Sequence, residues 1–171
     1  MDWSRIEKEM HELETKLEYN FRDISLLAKA MKSQKLEKLP DDGKNKKEYS
    51  NEALAFLGDT IIKFLIANQL YENENENDKR KGSMTIKKSK LENNSIFHEI
   101  MEKEKLISYS YHDTHFHMDN PPEHEKVVTN KHDPYIEAIA AAIYMDGGWE
   151  AVTIWFENWL LPRLERYCSS N

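Results

Sequence analysis

The chain has 171 residues, 32% of them charged, and a formal net charge of −7. This length fits a single domain, residues 1–171, whose core needs no disulfide bonds, and the lone Cys168 excludes a disulfide framework within the chain. The acidic balance argues against a protein that coats polyanions through its net charge, although local lysine clusters can still bind RNA.

Membrane segments are not expected from this sequence. No apolar segment follows Met1, and no run of 18 apolar residues exists. We therefore expect neither a signal peptide nor a transmembrane helix, and we expect a cytoplasmic protein without a membrane partner.

The N-terminal residues predict two short helices and a loop. Ser4 and Glu7 have the spacing of a capping box, which marks a helix start. Apolar residues then repeat at helical spacing, at Ile6, Met10, Leu13 and Leu17. Asp23 can cap a second helix, and the polar stretch 40–47 predicts a loop.

Residues 51–71 predict a long central helix, because they contain no proline and only one glycine over about five turns. Apolar residues fall on nearly every face, so we expect this helix to be buried at the centre of a bundle. Glu52 and Asp59 lie seven residues apart, on nearly the same stripe. Buried carboxylates are costly unless they are paired, hydrogen-bonded or bound to metal, so these two acids mark a candidate functional site.

The segment after the central helix alternates between predicted loops and one helix. The acidic repeat at 72–78 predicts a mobile loop. A helical stretch is expected to begin at Gly82 and to end near Leu106. Residues 109–133 show no apolar period and contain two adjacent prolines, so they predict a long loop that is functional or disordered.

The C-terminal residues predict two further helices. Asp133 and Pro134 have the residue types of an N-cap and a first helical position. The helix that they start is apolar all round except for Glu137, and a glycine pair at 147–148 should end it. A last helix follows, which Pro162 should bend or interrupt. No alternating strand pattern occurs, so the sequence predicts an all-α fold.

Lysines cluster on both sides of the predicted central helix. One cluster precedes it, at Lys35, Lys38, Lys44, Lys46 and Lys47. The other follows it, at Lys79, Arg80, Lys81, Lys87, Lys88 and Lys90. Lysine clusters are more often solvated faces than binding sites. From the second cluster we take Lys87, Lys88 and Lys90 as candidate phosphate contacts to RNA.

The three acids on apolar helices can converge if those helices pack together. Glu52, Asp59 and Glu137 would then raise each other's pKa unless a cation neutralises them. Mg²⁺ prefers oxygen ligands and is typically held by one or two protein carboxylates, and such a site suits water attack on a phosphodiester. Spacing alone fits structural or helix-capping roles equally well.

The motif Asn51-Glu52-x-Leu54-x-Phe56-Leu57-Gly58-Asp59 resembles the ribonuclease III signature N-E-x-L-E-F-L-G-D. The resemblance covers residues 13–166 in the family's order. Three further segments carry it, Leu17-Glu18-Tyr19-Asn20-Phe21, Gly82-Ser83-Met84-Thr85 and Ala142-Ile143-Tyr144-Met145-Asp146-Gly147-Gly148.

This resemblance implies a helical endonuclease domain that forms a homodimer and cuts double-stranded or structured RNA with Mg²⁺, or with Mn²⁺. The expected products carry 5′-phosphate and 3′-hydroxyl ends. It implies Asp59 and Glu137 as metal ligands and catalytic residues, Asp133 as a further ligand, and Glu52 as a catalytic support. No double-stranded-RNA-binding domain is expected within residues 1–171.

Two residues depart from the family's pattern. Ala55 stands where the first motif has a second glutamate, and Pro134 stands where the second motif has an aspartate. The mini-ribonuclease III subfamily also lacks these acids. Three functions therefore remain open. The chain is an endoribonuclease with a reduced set of acids, a domain that binds structured RNA or a ribonucleoprotein without cutting, or a structural or protein-interaction domain.

The histidines after the central helices form a separate group. Three of them lie close together with Asp113, at His112, His115 and His117, and two more follow at His124 and His132. Imidazoles bind transition metals, but an ordered site needs partners that fix the rings. In a polar loop next to two prolines we expect solvated histidines, and we leave them out of the site.

Overall fold

The computed structural model describes residues 3–32, 51–73, 80–111 and 134–168. In these residues the fold is all-α, as predicted, with no β-strand and one isolated bridge between Lys32 and Tyr111. The α-helices are α1 Trp3–Leu17, α2 Ile24–Ala30, α3 Glu52–Asn73, α4 Lys81–Leu91, α5 Asn94–Lys103, α6 Tyr135–Trp155 and α7 Leu161–Cys168. A 3₁₀ turn, Ile107–Tyr109, follows α5, and a π-helical segment, Phe156–Leu160, joins α6 to α7.

The packing of α3 against α6 forms the centre of the domain. All residues from 135 to 143 are buried, and alanines at 138 and 140–142 let a neighbouring helix approach closely. The two helices lie close together at Gly58, where an added Cβ would be 1.7 Å from the backbone oxygen of Glu137. Only glycine fits at this distance, because any other residue would overlap the α6 backbone.

The connection between α1 and α2 is held to the C-terminal part of α6 by Asp146. Its carboxylate accepts hydrogen bonds from the Tyr19 hydroxyl at 2.8 Å, from the Arg22 amide at 3.0 Å and from the Asp23 amide at 2.9 Å. Gly148 then interrupts the helical geometry with φ 78° and ψ −167°, a left-handed region that favours glycine. The predicted glycine break is therefore present, although the chain resumes helical geometry at once.

The N-terminal caps of α2 and α5 can be compared with the helix boundaries predicted from the sequence. Asp23 caps α2, since its side chain accepts a hydrogen bond from the Ser25 amide at 3.0 Å, as expected. The prediction of one continuous helix from Gly82 to Leu106 is wrong. The Asn93 side chain accepts a hydrogen bond from the Ser95 amide and starts α5 as a new helix.

The C-terminal helices begin and bend near their prolines. Pro134 occupies the N-cap position with φ −91° and ψ 52°, and α6 begins at Tyr135, one residue later than predicted. Pro162 is the second residue of α7, directly after the π-helical segment. Because proline has no N–H to donate to the preceding turn, the wider turn agrees with the predicted interruption at this residue.

The prediction that α3 is buried on every face is wrong for the single chain. Its buried residues are Ala55, Gly58, Ile61, Ile62, Leu65 and Ile66. Phe56 is 79% exposed and Phe64 is 54% exposed, because α6 covers only one side of the helix. The Phe64 ring meets the ring of Trp149 edge-on, with centroids 5.2 Å apart. An apolar surface is therefore left open beside the α3–α6 contact.

Among the described ranges, α3 is the one helix that is long and apolar enough to cross a membrane by length and composition alone. The observation is weak evidence, since the central helix of a globular core passes the same test. One side of α3 packs against α6 in the core.

Several predicted features lie outside the described residues. They are the first lysine cluster, Lys79, most of the acidic repeat, the histidine-containing loop and Asp133.

Candidate active site

Glu137 lies in the first turn of α6, at the point of closest approach to α3. Its side chain is only 5% exposed, and among the described residues its Oε2 has no hydrogen-bond partner. Burial raises the pKa of this carboxyl group to about 7, and the nearby negative charge of Asp59 acts in the same direction. A buried carboxylate oxygen without a partner is costly unless a cation or a proton neutralises it.

Asp59 follows Gly58 on α3 and reaches solvent beside Glu137. Its Oδ2 accepts a hydrogen bond from the Lys63 ammonium at 2.7 Å, and the two side chains are 42% and 46% exposed. This hydrogen bond raises the pKa of Lys63, and the charges of Glu92 and Glu137 add to the effect. Asp59 and Glu137 are therefore brought to one site, together with a lysine that the sequence analysis did not identify.

Glu92 brings a further carboxylate toward Lys63 from the turn between α4 and α5. Its side chain is 17% exposed and forms an ion pair with Lys88 one helical turn before it. The spacing of four residues between Asp59 and Lys63 is the sequence signal for their ion pair. Glu92 has no such signal, because it reaches the site only through the packing of α4 against α3.

The other residues of the first motif have different positions. Glu52 lies in the first turn of α3 and is exposed, so it is not part of the buried contact with Glu137. Asn51 is buried, and its side-chain amide donates to the Ala30 carbonyl at 2.9 Å, which fixes the start of α3 to the end of α2. Ala55 is 7% exposed and packs in the hydrophobic core.

The oxygen donors present fit a single divalent cation. In the described part of the chain no three His, Cys, Asp or Glu side chains lie close enough to form a metal cluster. Asp59 and Glu137 offer two carboxylates, one of them with a buried oxygen that lacks a partner. Mg²⁺ needs no more than one or two protein carboxylates, because it retains several waters.

The candidate phosphate contacts lie on α4. Lys87 and Lys90 are exposed and stand three residues apart, so they share one side of the helix. Lys88 is 32% exposed in its ion pair with Glu92. Lys87 and Lys90 are therefore exposed, and Lys88 lies partly buried beside the carboxylate of Glu92.

Comparisons with known proteins agree with this helical core and its signature helix. The chain belongs to the Ribonuclease-III-like family, whose model matches residues 23–164. This defines the class of the protein as a ribonuclease III-type nuclease domain.

Individual relatives carry the name Ribonuclease 3. The chain is 30% identical over 140 residues to the protein of Caldanaerobacter subterraneus subsp. tengcongensis, and the match covers 82% of this chain and 57% of the relative. It is 33% identical over 141 residues to that of Solibacter usitatus, covering 81% and 50%. The chain thus spans little more than half the length of these curated relatives.

Solved structures show the same fold. The nuclease domain of the ribonuclease III of Campylobacter jejuni matches with a TM-score of 0.64 and 22% identity. The match covers 91% of this chain and 95% of that one. One of these structures describes flexibility in a region involved in dimer formation of that domain.

Proposed function

We propose that this chain is a metal-dependent endoribonuclease domain that hydrolyses phosphodiester bonds in double-stranded or structured RNA and leaves 5′-phosphate and 3′-hydroxyl ends. The observation that carries the proposal is the buried Glu137 Oε2, which has no partner in the described residues and lies beside Asp59. Membership in the Ribonuclease-III-like family supports the reaction class. A cytoplasmic location without membrane association fits such a substrate.

In this proposal Asp59 and Glu137 hold one Mg²⁺ or Mn²⁺, and Asp133 is a further candidate ligand. When bound, the ion supplies a water of lowered pKa and stabilises the departing oxygen. The protein fixes the two carboxylates relative to each other through the close contact of Gly58 with the Glu137 backbone. Glu52, exposed at the start of α3, is placed to support the site or to contact the RNA.

Replacing Asp59 by asparagine should reduce cleavage of a plain RNA duplex by at least about 100-fold, because metal-assisted stabilisation is worth several kcal/mol and each 1.36 kcal/mol is tenfold in rate. The measurement is single-turnover cleavage of an end-labelled duplex in Mg²⁺ or Mn²⁺. Glu157→Gln, which removes an exposed acid from the π-helical segment, serves as the control. Near-parental cleavage by Asp59→Asn would show that the site has been misplaced.

A second candidate function is RNA binding without cleavage. It is favoured by Ala55, which places a methyl group in the core where the family's motif has an acid, and by the Lys63 ammonium already bound to Asp59. Duplex binding with no cleavage at any Mg²⁺ or Mn²⁺ concentration would select this function over hydrolysis.

We further propose that the protein forms a homodimer through the open apolar surface of α3. Phe56 and Phe64 are more exposed than is usual for phenylalanine, and Trp149 extends the surface. A two-fold dimer would also suit a substrate with two antiparallel strands.

Phe56→Ser should shift sedimentation from a dimer to a 20.3 kDa monomer. Ile86→Ser, at an exposed apolar residue of α4, should leave the dimer intact. A monomeric parent protein at tens of micromolar would contradict the proposal.

For RNA binding we propose Lys87, Lys88 and Lys90 as phosphate contacts. Replacing Lys87 and Lys90 by glutamine should weaken duplex binding and reduce the slope of log K against log salt by about 2, since each phosphate contact contributes roughly 0.9. Fluorescence anisotropy in EDTA measures binding without cleavage. A double variant at the exposed Lys8 and Lys103 removes the same charge elsewhere and should keep the parental slope. Equal effects of both double variants would place the RNA on another surface.

A further inference from the structure

The Asp59 side chain is already paired with a positively charged side chain. The Lys63 ammonium lies 2.7 Å from Asp59 Oδ2, one helical turn further along α3. Both side chains reach solvent, so neither is held in place by burial. The charge of Lys63 also acts on Glu137, whose Oε2 lacks a hydrogen-bond partner in the described ranges. One ammonium group thus pairs with Asp59 directly and acts on Glu137 through its charge.

The surrounding residues leave the charge of Lys63 to act on this pair of carboxylates. Glu92 is occupied by Lys88, and Ala55 offers no carboxylate from the preceding turn of α3. Without Lys63, Asp59 and Glu137 would oppose each other with nothing in the described residues between their charges. With Lys63 present, the pair is half neutralised before any metal arrives.

We propose that Lys63 is a resident counter-ion of the Asp59–Glu137 site, and that a divalent cation binds there only when the Lys63 ammonium leaves Asp59. The inference rests on the proposed function, because it assumes that these carboxylates take a metal. An ion pair open to water on both sides is weak. Lys63 therefore sets the metal concentration that the site requires and does not close the site.

Mn²⁺ binding to the whole chain without RNA tests the inference. Electron paramagnetic resonance of free Mn²⁺ gives the dissociation constant without reference to activity. Lys63→Gln should lower that constant roughly tenfold at low salt, since a unit charge beside a dication in a solvated site contributes about this factor. The advantage should shrink at high salt, where exposed charges are screened.

Two control variants separate charge at the site from charge elsewhere. Lys8→Gln removes an exposed lysine from α1 and should keep the parental Mn²⁺ constant. Lys63→Arg keeps the positive charge and should stay close to the parent. Asp59→Asn, combined with Lys63→Gln, should abolish the tightened binding and so assign it to this site.

The Mn²⁺ measurements distinguish a failure of the inference from a failure of the proposed function. Equal Mn²⁺ constants in the parent and in Lys63→Gln overturn the inference and leave a metal site at Asp59 and Glu137 standing. Binding detected only in Lys63→Gln supports the inference, because the parent then requires more Mn²⁺ than the titration reaches. Binding by neither protein overturns the metal site itself, and the proposed function with it.

Discussion

Glu137→Gln is expected to make the metal-free protein more stable at pH 8 while it abolishes metal-dependent cleavage. Burial raises the pKa of Glu137 to about 7, above its ordinary value of 4.5, because the charged form is poorly solvated between α3 and α6. The folded state therefore binds this proton more tightly than the unfolded state does. Ionising the carboxyl group above pH 7 costs on the order of 3 kcal/mol, a cost that a neutral amide avoids.

The sign of this effect gives a pH profile that can be measured. Below pH 4.5 the carboxyl group is protonated in both states, and Glu137 imposes no penalty. Between pH 4.5 and about 7 only the unfolded state releases the proton, so the stability of the parent should fall as pH rises and then level off. The difference between parent and Glu137→Gln isolates this contribution from all other groups.

Urea unfolding in EDTA from pH 5 to pH 8 is the measurement. The exposed Glu157→Gln variant should run parallel to the parent at every pH. Adding Mg²⁺ at pH 8 should stabilise the parent and leave Glu137→Gln unchanged, because the metal replaces the missing partner of the carboxylate. Parallel profiles for the parent and Glu137→Gln would contradict the burial of the carboxyl group that the structure shows.

The sequence predicts the helices better than it predicts their surroundings. The apolar stretch at 135–143 is long and unbroken, so its helix and its burial follow from composition. Phe56 is different, because the same apolar pattern fits a helix covered on all sides and a helix covered on one. Which side of α3 remains open depends on where α6 packs, and the sequence of α3 does not contain that information.

For the candidate site as well, the sequence predicts some of the residues and misses others. Asp59 and Glu137 are recognisable as acids on apolar helices, and the structure brings them together. Lys63 has a local signal in its spacing from Asp59, but that spacing is common on helix surfaces and indicates no function by itself. Glu92 caps the C-terminus of α4, one residue before the break at Asn93, and reaches the site only through the packing of α4 against α3. Glu52 shares a stripe with Asp59 yet is exposed, because α6 crosses α3 nearer to Gly58 than to the helix start.

Gly58→Ala should be the most damaging single change to the fold among those considered. The added Cβ would lie 1.7 Å from the Glu137 backbone oxygen and 2.5 Å from its carbonyl carbon. Side-chain rotation cannot relieve an overlap between a Cβ and a backbone, so α3 and α6 would have to move apart across the centre of the core. We expect a loss of at least about 3 kcal/mol in the free energy of unfolding.

Gly82→Ala is the matched control, because a Cβ added there meets no atom within 4 Å. Alanine has the higher helix propensity, so this change within α4 should be neutral or stabilising by up to about 1 kcal/mol. Urea unfolding of both variants gives the comparison. If Gly58→Ala lies within about 1 kcal/mol of the parent, the helices do not cross as closely as the structure shows.

The same substitution links the fold to the site. Moving α6 away from α3 carries the Glu137 backbone away from residue 59, so the two carboxylates can no longer hold one ion at the short distances that Mg²⁺ requires. Any Gly58→Ala protein that still folds should therefore bind Mn²⁺ more weakly than the parent, whereas Gly82→Ala should bind it equally well. Parental Mn²⁺ affinity in a folded Gly58→Ala protein would show that the helix crossing does not position the metal ligands.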